Sequence, residues 1–192
     1  MIYGIDVSEN NGYVDWKGIR RKHDEIKFAI IRSSYGFSFD SRFIDNVYNA
    51  INNGFKCGAY HYSYSMNKSE ALIEAETMKK IINDSGMLLE LPCFFDMEGD
   101  NYKIRNGFDF SKDNVTEICK TFIDEMKPLN TGLYANLNWL ENHIDWKSLG
   151  CSVWSAQYNT VDDFKGYLWQ YTDKLHLCGK DFDGDILYLD NF

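Results

Sequence analysis

The chain has 192 residues, of which 44% are hydrophobic and 16% aromatic, with a formal net charge of −9 and a pI near 4.9. This length is enough to bury one substantial core, and the acidic balance argues against a nucleic-acid partner, because phosphate binding relies on clustered Lys and Arg. No run approaches the roughly 20 apolar residues of a membrane span, so we expect no membrane insertion.

Short apolar runs alternate with helix-like stretches along the chain. The predicted strands are residues 2–7, 27–33, 56–63, 91–97, 131–135, 152–157, 167–171 and 186–189. The predicted helices are residues 15–22, 40–53, 69–83, 113–126 and 137–143. This alternation predicts an α/β fold, and the strands that continue after the helices end near residue 144 predict a small TIM-like β/α barrel finished by short connections.

Other features of the sequence bear on the number of domains, on cellular location and on metal binding. There is no Ser/Gly linker tract, no repeat and no block of like charge, which predicts a single domain over residues 1–192. The amino terminus has no basic segment followed by an apolar stretch, so we expect no signal peptide. Five cysteines without CxxC or zinc spacing are interpreted as buried free thiols, and no metal site is predicted.

The chemistry is concentrated where the apolar run 91–95 ends in Asp96-Met-Glu98. Successive side chains on a strand point to opposite faces, so Asp96 and Glu98 share one face, while Cys93, Phe95 and Met97 point to the other. Two like charges this close disfavour joint ionisation, and an apolar surround has the same effect. One carboxyl that stays protonated near neutral pH is what departure of a glycosidic oxygen requires.

An isolated Asp-x-Glu is more often a pair of solvated residues at a strand end. Further acids strengthen the catalytic interpretation, because Asp6 ends the first apolar run at the same relative position. Another candidate lies at the far end of the chain, in Phe182-Asp-Gly-Asp185. These carboxylates would meet at the carboxyl ends of parallel strands, where barrel enzymes hold their active sites.

Short motifs follow one another along nearly the whole chain: GIDVS at 4–8, GYVDW at 12–16, FAIIRS at 28–33 with Gly36, GAYHYS at 58–63, DME at 96–98, GLYAN at 132–136 with Trp139 and Leu140, VWSAQY at 153–158, and LWQY at 168–171. Their order and spacing resemble glycoside hydrolase family 25 lysozymes. The resemblance implies a flattened β/α barrel with an irregular final part, N-acetylmuramidase activity on the glycan strands of bacterial peptidoglycan, and no metal or organic cofactor.

The resemblance also implies roles for individual residues. Glu98 takes the general-acid position, and Asp96 and Asp6 match the family's other active-site carboxylates. The residues that match expected sugar-contact positions are Tyr60, Tyr134 and Gln170, with Trp154 and Tyr158 as weaker candidates. The chain departs from the family near its carboxyl terminus, where an apolar residue, Asp, an apolar residue and Asn are usual; Asp183 aligns with the family's aspartate, and a shift of two selects Asp185.

Two mechanistic routes stay open. Glu98 protonates the leaving oxygen in both. Asp96 either directs a water molecule, which inverts the anomeric centre, or braces the substrate's N-acetyl group as that group attacks, which retains it.

His61 fits the role of a substrate contact and that of a satisfied structural histidine equally well. Arg32 is interpreted as a member of an ordinary salt bridge in preference to a partner of a groove carboxylate.

The muramidase has one alternative from a different class and one nearer alternative. A catalytically silent glycan-binding module would use the same aromatic groove without cleavage. A chitinase-like hydrolase also carries Asp-x-Glu on a barrel strand, but the acidic residues that precede that pair are absent from 91–95.

The free thiols and the expected lack of a leader suggest a phage endolysin that stays cytoplasmic until it is released at lysis; a trimmed secreted enzyme would look similar.

Overall fold

The computed structural model describes residues 1–188. Its strands are β1 (Ile2–Val7), β2 (Ile26–Tyr35), β3 (Ser38–Phe39), β4 (Lys56–Tyr62), β5 (Cys93–Asp96), β6 (Thr131–Asn136), β7 (Val153–Ala156), β8 (Leu168–Leu177) and β9 (Lys180–Leu187). Its helices are α1 (Trp16–Lys22), α2 (Phe43–Asn52), α3 (Lys68–Ser85), α4 (Asn101–Arg105), α5 (Lys112–Glu125), α6 (Leu137–Asn142) and α7 (Trp146–Leu149), with a 3₁₀ turn at Glu9–Asn11.

Within residues 1–188, eight strands close into a barrel in the order β1-β9-β8-β7-β6-β5-β4-β2, and β2 pairs back onto β1. Every neighbouring pair is parallel except those that involve β9, which runs antiparallel to both β1 and β8. Strand β3 folds back on the end of β2 as a short antiparallel hairpin. The predicted α/β barrel with an irregular final part is therefore confirmed.

The prediction was wrong about the extent of the last two strands. Strand β8 continues to Leu177 instead of ending at 171, and β9 begins at Lys180 instead of 186. The reason is that the two form an antiparallel hairpin whose far end is largely exposed, with Asp173, Lys174 and His176 at the surface. Such a ladder needs no apolar run. Residue 189, the predicted end of the last strand, lies outside the described residues.

Inside the barrel, large buried side chains pack against glycines. Phe28, Phe94 and Leu168 are fully buried inside the barrel. A Cβ on Gly4 would lie 2.4 Å from the Phe28 ring, and one on Gly132 would lie 2.8 Å from the Phe94 ring. The glycines therefore make room for the two rings, which fill this layer of the barrel.

The remaining predictions about the chain have mixed outcomes. The short elements β3, α4 and α7 were not predicted, because they are too short to show a period. All five cysteines are free, but Cys151 and Cys178 are only partly buried. No helix among the described residues combines the length and the apolar composition that crossing a bilayer requires.

Candidate active site

A groove of about 330 Å³ opens at the carboxyl ends of the parallel strands. All of the predicted site residues line it: Asp6, Tyr60, Asp96, Glu98, Tyr134, Trp154, Tyr158, Gln170 and Asp183. The sequence prediction had not included four others, namely Ser8, Asn10, Asn11 and Tyr62. Residues from both ends of the chain meet here because β9 returns between β1 and β8.

Asp96 and Glu98 reach the groove for the reason that strand alternation predicts. The intervening Met97, with Cys93 and Phe95, packs in the apolar layer between the barrel and the helices. The chain stays extended past the end of β5, because the amide of Met97 donates to the carbonyl oxygen of Tyr134 at 3.0 Å. Asp96 is buried, whereas Glu98 is half-buried and faces the groove.

Burial and mutual repulsion raise the pKa values of the groove carboxyls. The pKa of Asp96 lies well above its usual range, first because the group is buried and then because of the Glu98 charge. Burial also raises the pKa of Glu98. Burial and the Asp183 charge raise the pKa of Asp6 to about 8. The environment of the groove therefore favours the protonated form of these carboxyls, which is the form that general-acid chemistry requires.

A hydrogen-bonded chain joins the tyrosines to Asp6 through Gln170. The Tyr134 hydroxyl donates to Gln170 Oε1 at 2.8 Å, and the Tyr158 hydroxyl reaches the same oxygen at 3.3 Å. Gln170 Nε2 then donates to Asp6 Oδ2 at 2.8 Å. The tyrosines thereby fix the orientation of the amide, which in turn holds the carboxyl of Asp6 at the barrel wall.

The register of β9 separates the two candidates for the fourth carboxylate. Asp183 lies opposite Asp6 on β1 and lines the groove. Asp185 lies one layer deeper, is fully buried, and accepts a hydrogen bond from Trp154 Nε1 at 2.9 Å. It also lies within hydrogen-bonding reach of Asp6. The geometry favours Asp183 as the groove residue, with Asp185 beneath it.

His61 and Arg32 make structural contacts. His61 is fully buried on the helix side of β4, where its Nε2 lies 3.2 Å from Glu74 and its Nδ1 lies 2.8 Å from the hydroxyl of Ser34. Arg32 lines the groove, but its Nε donates to the buried Asp40 at 2.8 Å. These contacts support the structural interpretation of both residues.

Sequence reasoning missed one charged residue near the groove. Lys103 on α4 is fully buried and donates from its Nζ to the carbonyl oxygen of Ser63. Its charge lowers the pKa values of Asp96 and Glu98 and so offsets part of the effect of burial. Nothing in the local pattern marks Lys103, because α4 has only five residues and an isolated lysine is usually exposed.

Among residues 1–188, no three His, Cys, Asp or Glu side chains are arranged to hold a metal ion. The groove itself contains carboxyls with raised pKa values, surrounded by tyrosine hydroxyls and an indole. Such a surface combines groups for proton transfer with apolar ring faces and polar rims that suit sugars.

The sequence and the fold of this chain are similar to those of several lysozymes and endolysins. The autolytic lysozyme of Clostridium acetobutylicum is 25% identical over 189 residues, which cover 95% of this chain and 54% of that protein. The modular autolysin LytC of Streptococcus pneumoniae superimposes with a TM-score of 0.89 at 24% identity, over 97% of this chain and 46% of its own. This chain thus spans about half the length of these two relatives.

A third protein has nearly the same extent as this chain. The catalytic domain of endolysin ply40 from bacteriophage P40 of Listeria monocytogenes has a TM-score of 0.82 at 22% identity, over 100% of this chain and 95% of its own. At sequence level, the family model described as glycosyl hydrolases family 25 matches residues 5–180. Because that match covers most of the chain, this protein belongs to glycosyl hydrolase family 25.

Proposed function

We propose that this chain is an N-acetylmuramidase that hydrolyses the β-1,4 bond between N-acetylmuramic acid and N-acetylglucosamine in bacterial peptidoglycan. The observation that carries the proposal is the placement of Asp96 and Glu98 together in the groove, with the pKa of Glu98 raised by burial. A half-buried carboxyl that faces the groove and has a raised pKa is suited to donate a proton to a leaving oxygen.

In this proposal Glu98 is the general acid, and Asp96, Asp6 and Asp183 are the accompanying carboxylates. Tyr60, Tyr134 and Gln170 contact the sugars, with further contacts from Trp154 and Tyr158. Proton transfer and positioning by these side chains account for the reaction without a cofactor. The glycan strand is the partner, and neither nucleic acid nor membrane insertion is part of the proposal.

The reaction proceeds by transfer of the Glu98 proton to the glycosidic oxygen as the bond to the anomeric carbon breaks. The anomeric carbon then receives either a water molecule that is directed by Asp96 and gives its proton to that carboxylate, or the oxygen of the substrate's own N-acetyl group, which a water molecule later displaces while it returns a proton to Glu98. Proton NMR of the first product distinguishes the routes. An initial α-anomer excludes retention, and an initial β-anomer excludes inversion.

The first test is a digestion of purified peptidoglycan by the wild type and by Glu98→Gln, which preserves the size of the side chain. A matched control is Glu90→Gln, which alters an exposed carboxylate just before β5 at the opposite end of the barrel. The new ends are reduced with borohydride and identified by mass spectrometry. We expect reduced muramic acid from the wild type and from Glu90→Gln, and none from Glu98→Gln.

Other outcomes identify the alternatives. New reduced glucosamine ends would mean that the other bond is cut, as in a chitinase-like hydrolase. Folded wild type that binds peptidoglycan and creates no new ends would indicate the silent glycan-binding module. Full activity in Glu98→Gln would remove Glu98 from the role of general acid.

We also propose that residues 1–192 act as a single catalytic domain and that the protein stays in the cytoplasm until it is released at lysis. The free thiols and the similarity in fold to the phage endolysin domain support this setting. Expression in a bacterium with susceptible peptidoglycan should leave culture turbidity unchanged until chloroform permeabilises the membrane. Lysis without permeabilisation would contradict it.

A further inference from the structure

A second pocket of about 380 Å³ lies beside the groove and is lined mainly by aromatic side chains. Its walls include Tyr35, Phe37, Tyr64 and Tyr102, which we call the aromatic shelf. Phe37 is 62% exposed, Tyr102 49% and Tyr64 38%. Large rings from three separate parts of the chain thus converge on one solvent-facing surface. A single exposed ring is ordinary, but a cluster of this kind indicates a binding surface.

The shelf is fixed in place by buried contacts. The amide of Gly36 donates to the carbonyl oxygen of Tyr62 at 2.9 Å, and the amide of Tyr64 donates to the buried Glu74 at 2.9 Å. Gly36 has a φ of +49°, and a Cβ there would lie 2.9 Å from the Tyr64 ring. Glycine is therefore required for the hairpin of Phe37 to approach Tyr64 so closely.

Two contacts connect the shelf to the groove. Tyr62 lines the groove, and its ring centroid lies 5.3 Å from that of Tyr64, which in turn lies 5.6 Å from that of Tyr102. On the other wall, the guanidinium of Arg32 lies 4.7 Å from the Tyr35 ring centre. The groove and the shelf are therefore connected through side chains that contact one another.

From this connection we infer that the aromatic shelf binds an N-acetylhexosamine residue of the same glycan strand, beyond the sugars that flank the cleaved bond. The inference rests on the proposed muramidase function. Exposed ring faces with hydroxyl rims suit the apolar face and polar edge of a pyranose. The net charge of −9 and the neighbouring Glu70 favour the neutral N-acetylglucosamine residue of the strand over N-acetylmuramic acid, whose lactyl group carries a carboxylate.

The test compares peptide-free glycan oligomers of two lengths, a tetrasaccharide and strands of more than ten sugars. The variants are Tyr102→Ala and Phe37→Ala, with Tyr48→Ala as the control, because Tyr48 is 62% exposed on α2 and lies outside the shelf. We expect kcat/KM on the long strands to fall about fivefold to tenfold in the shelf variants. The tetrasaccharide should be cut at the wild-type rate, which also shows that each variant is folded.

Unchanged cleavage of long strands by both shelf variants would overturn the inference, and so would an equal loss on both lengths. A loss confined to strands that carry peptide stems would mean that the shelf binds peptide instead. If the wild type cuts neither oligomer, the muramidase proposal fails on its own. The shelf is then judged by Kd: tighter binding of long strands that Tyr102→Ala abolishes supports it, and equal binding of both lengths overturns it.

Discussion

Replacing Asp6 with asparagine is expected to stabilise the protein at neutral pH while reducing its activity. Asp6 is only 5% exposed, and burial together with the charge of Asp183 raises its pKa to about 8. Asparagine keeps the oxygen that accepts the hydrogen bond from Gln170 Nε2, and it carries no charge that has to be buried. At neutral pH the folded wild type has to keep a proton on this buried carboxyl, and the substitution removes that cost while it preserves the local shape.

The size of the effect follows from proton linkage. An unfolded aspartate has a pKa of about 3.9, so between about pH 4 and pH 8 folded Asp6 keeps a proton that the unfolded chain releases. The free energy of unfolding then falls as the pH rises, by up to about 4 kcal/mol between pH 4 and pH 7 at about 1.4 kcal/mol per unit. Because Asp183 and Asp185 titrate together with Asp6, one substitution recovers part of this, on the order of 2 kcal/mol.

Urea unfolding followed by tryptophan fluorescence at about pH 4 and pH 7 measures this directly. The control is Glu76→Gln, which replaces an exposed carboxylate on α3 and should change the free energy of unfolding little at either pH. We expect Asp6→Asn to equal the wild type near pH 4 and to exceed it at pH 7. The same difference at both pH values, or a loss of stability at pH 7, would refute the reasoning.

Two further predictions concern the buried lysine and the barrel interior. Lys103→Met removes a cation that lowers the pKa values of Asp96 and Glu98, so the alkaline limb of the pH profile of kcat/KM should move to higher pH; an unmoved limb would contradict this role. Gly132→Ala places a Cβ 2.5 Å from the backbone oxygen of Ser152 and 2.8 Å from the Phe94 ring, and it should lower the free energy of unfolding by about 1–3 kcal/mol in urea. A change within about 0.5 kcal/mol would contradict this requirement for glycine.

The placement of the central carboxylates was predictable because it depends on local rules. Strand alternation is enough to place Asp96 and Glu98 on one face, and the carboxyl-end rule for parallel strands brings Asp6 to the same end of the barrel. The choice between Asp183 and Asp185 was not predictable, because both side chains point to the same face of β9. Only the register of β9 against β1 sets one of them in the groove and the other beneath it.

Long-range contacts account for the other features that the sequence did not reveal. The hairpin of β8 and β9 is mostly polar at its far end, so its length is set by strand pairing and not by an apolar period. Lys103 is buried because α4 packs it beneath the residues that follow β4, near Ser63. No pattern within α4 contains that information, since burial of a lone lysine depends on the partners that surround it.

Most of the groove carboxyls lie on barrel strands, whereas part of the aromatic shelf lies on the segments that connect the strands. Asp6, Asp96 and Gln170 lie on strands that pair on both sides, above a close-packed layer, so their geometry is rigid. Phe37 and Tyr102 lie instead on a hairpin turn and a five-residue helix, which tolerate substitution more easily. Under the proposed function, changes in the aromatic shelf should therefore alter the preferred length of the glycan strand and leave the groove carboxyls undisturbed.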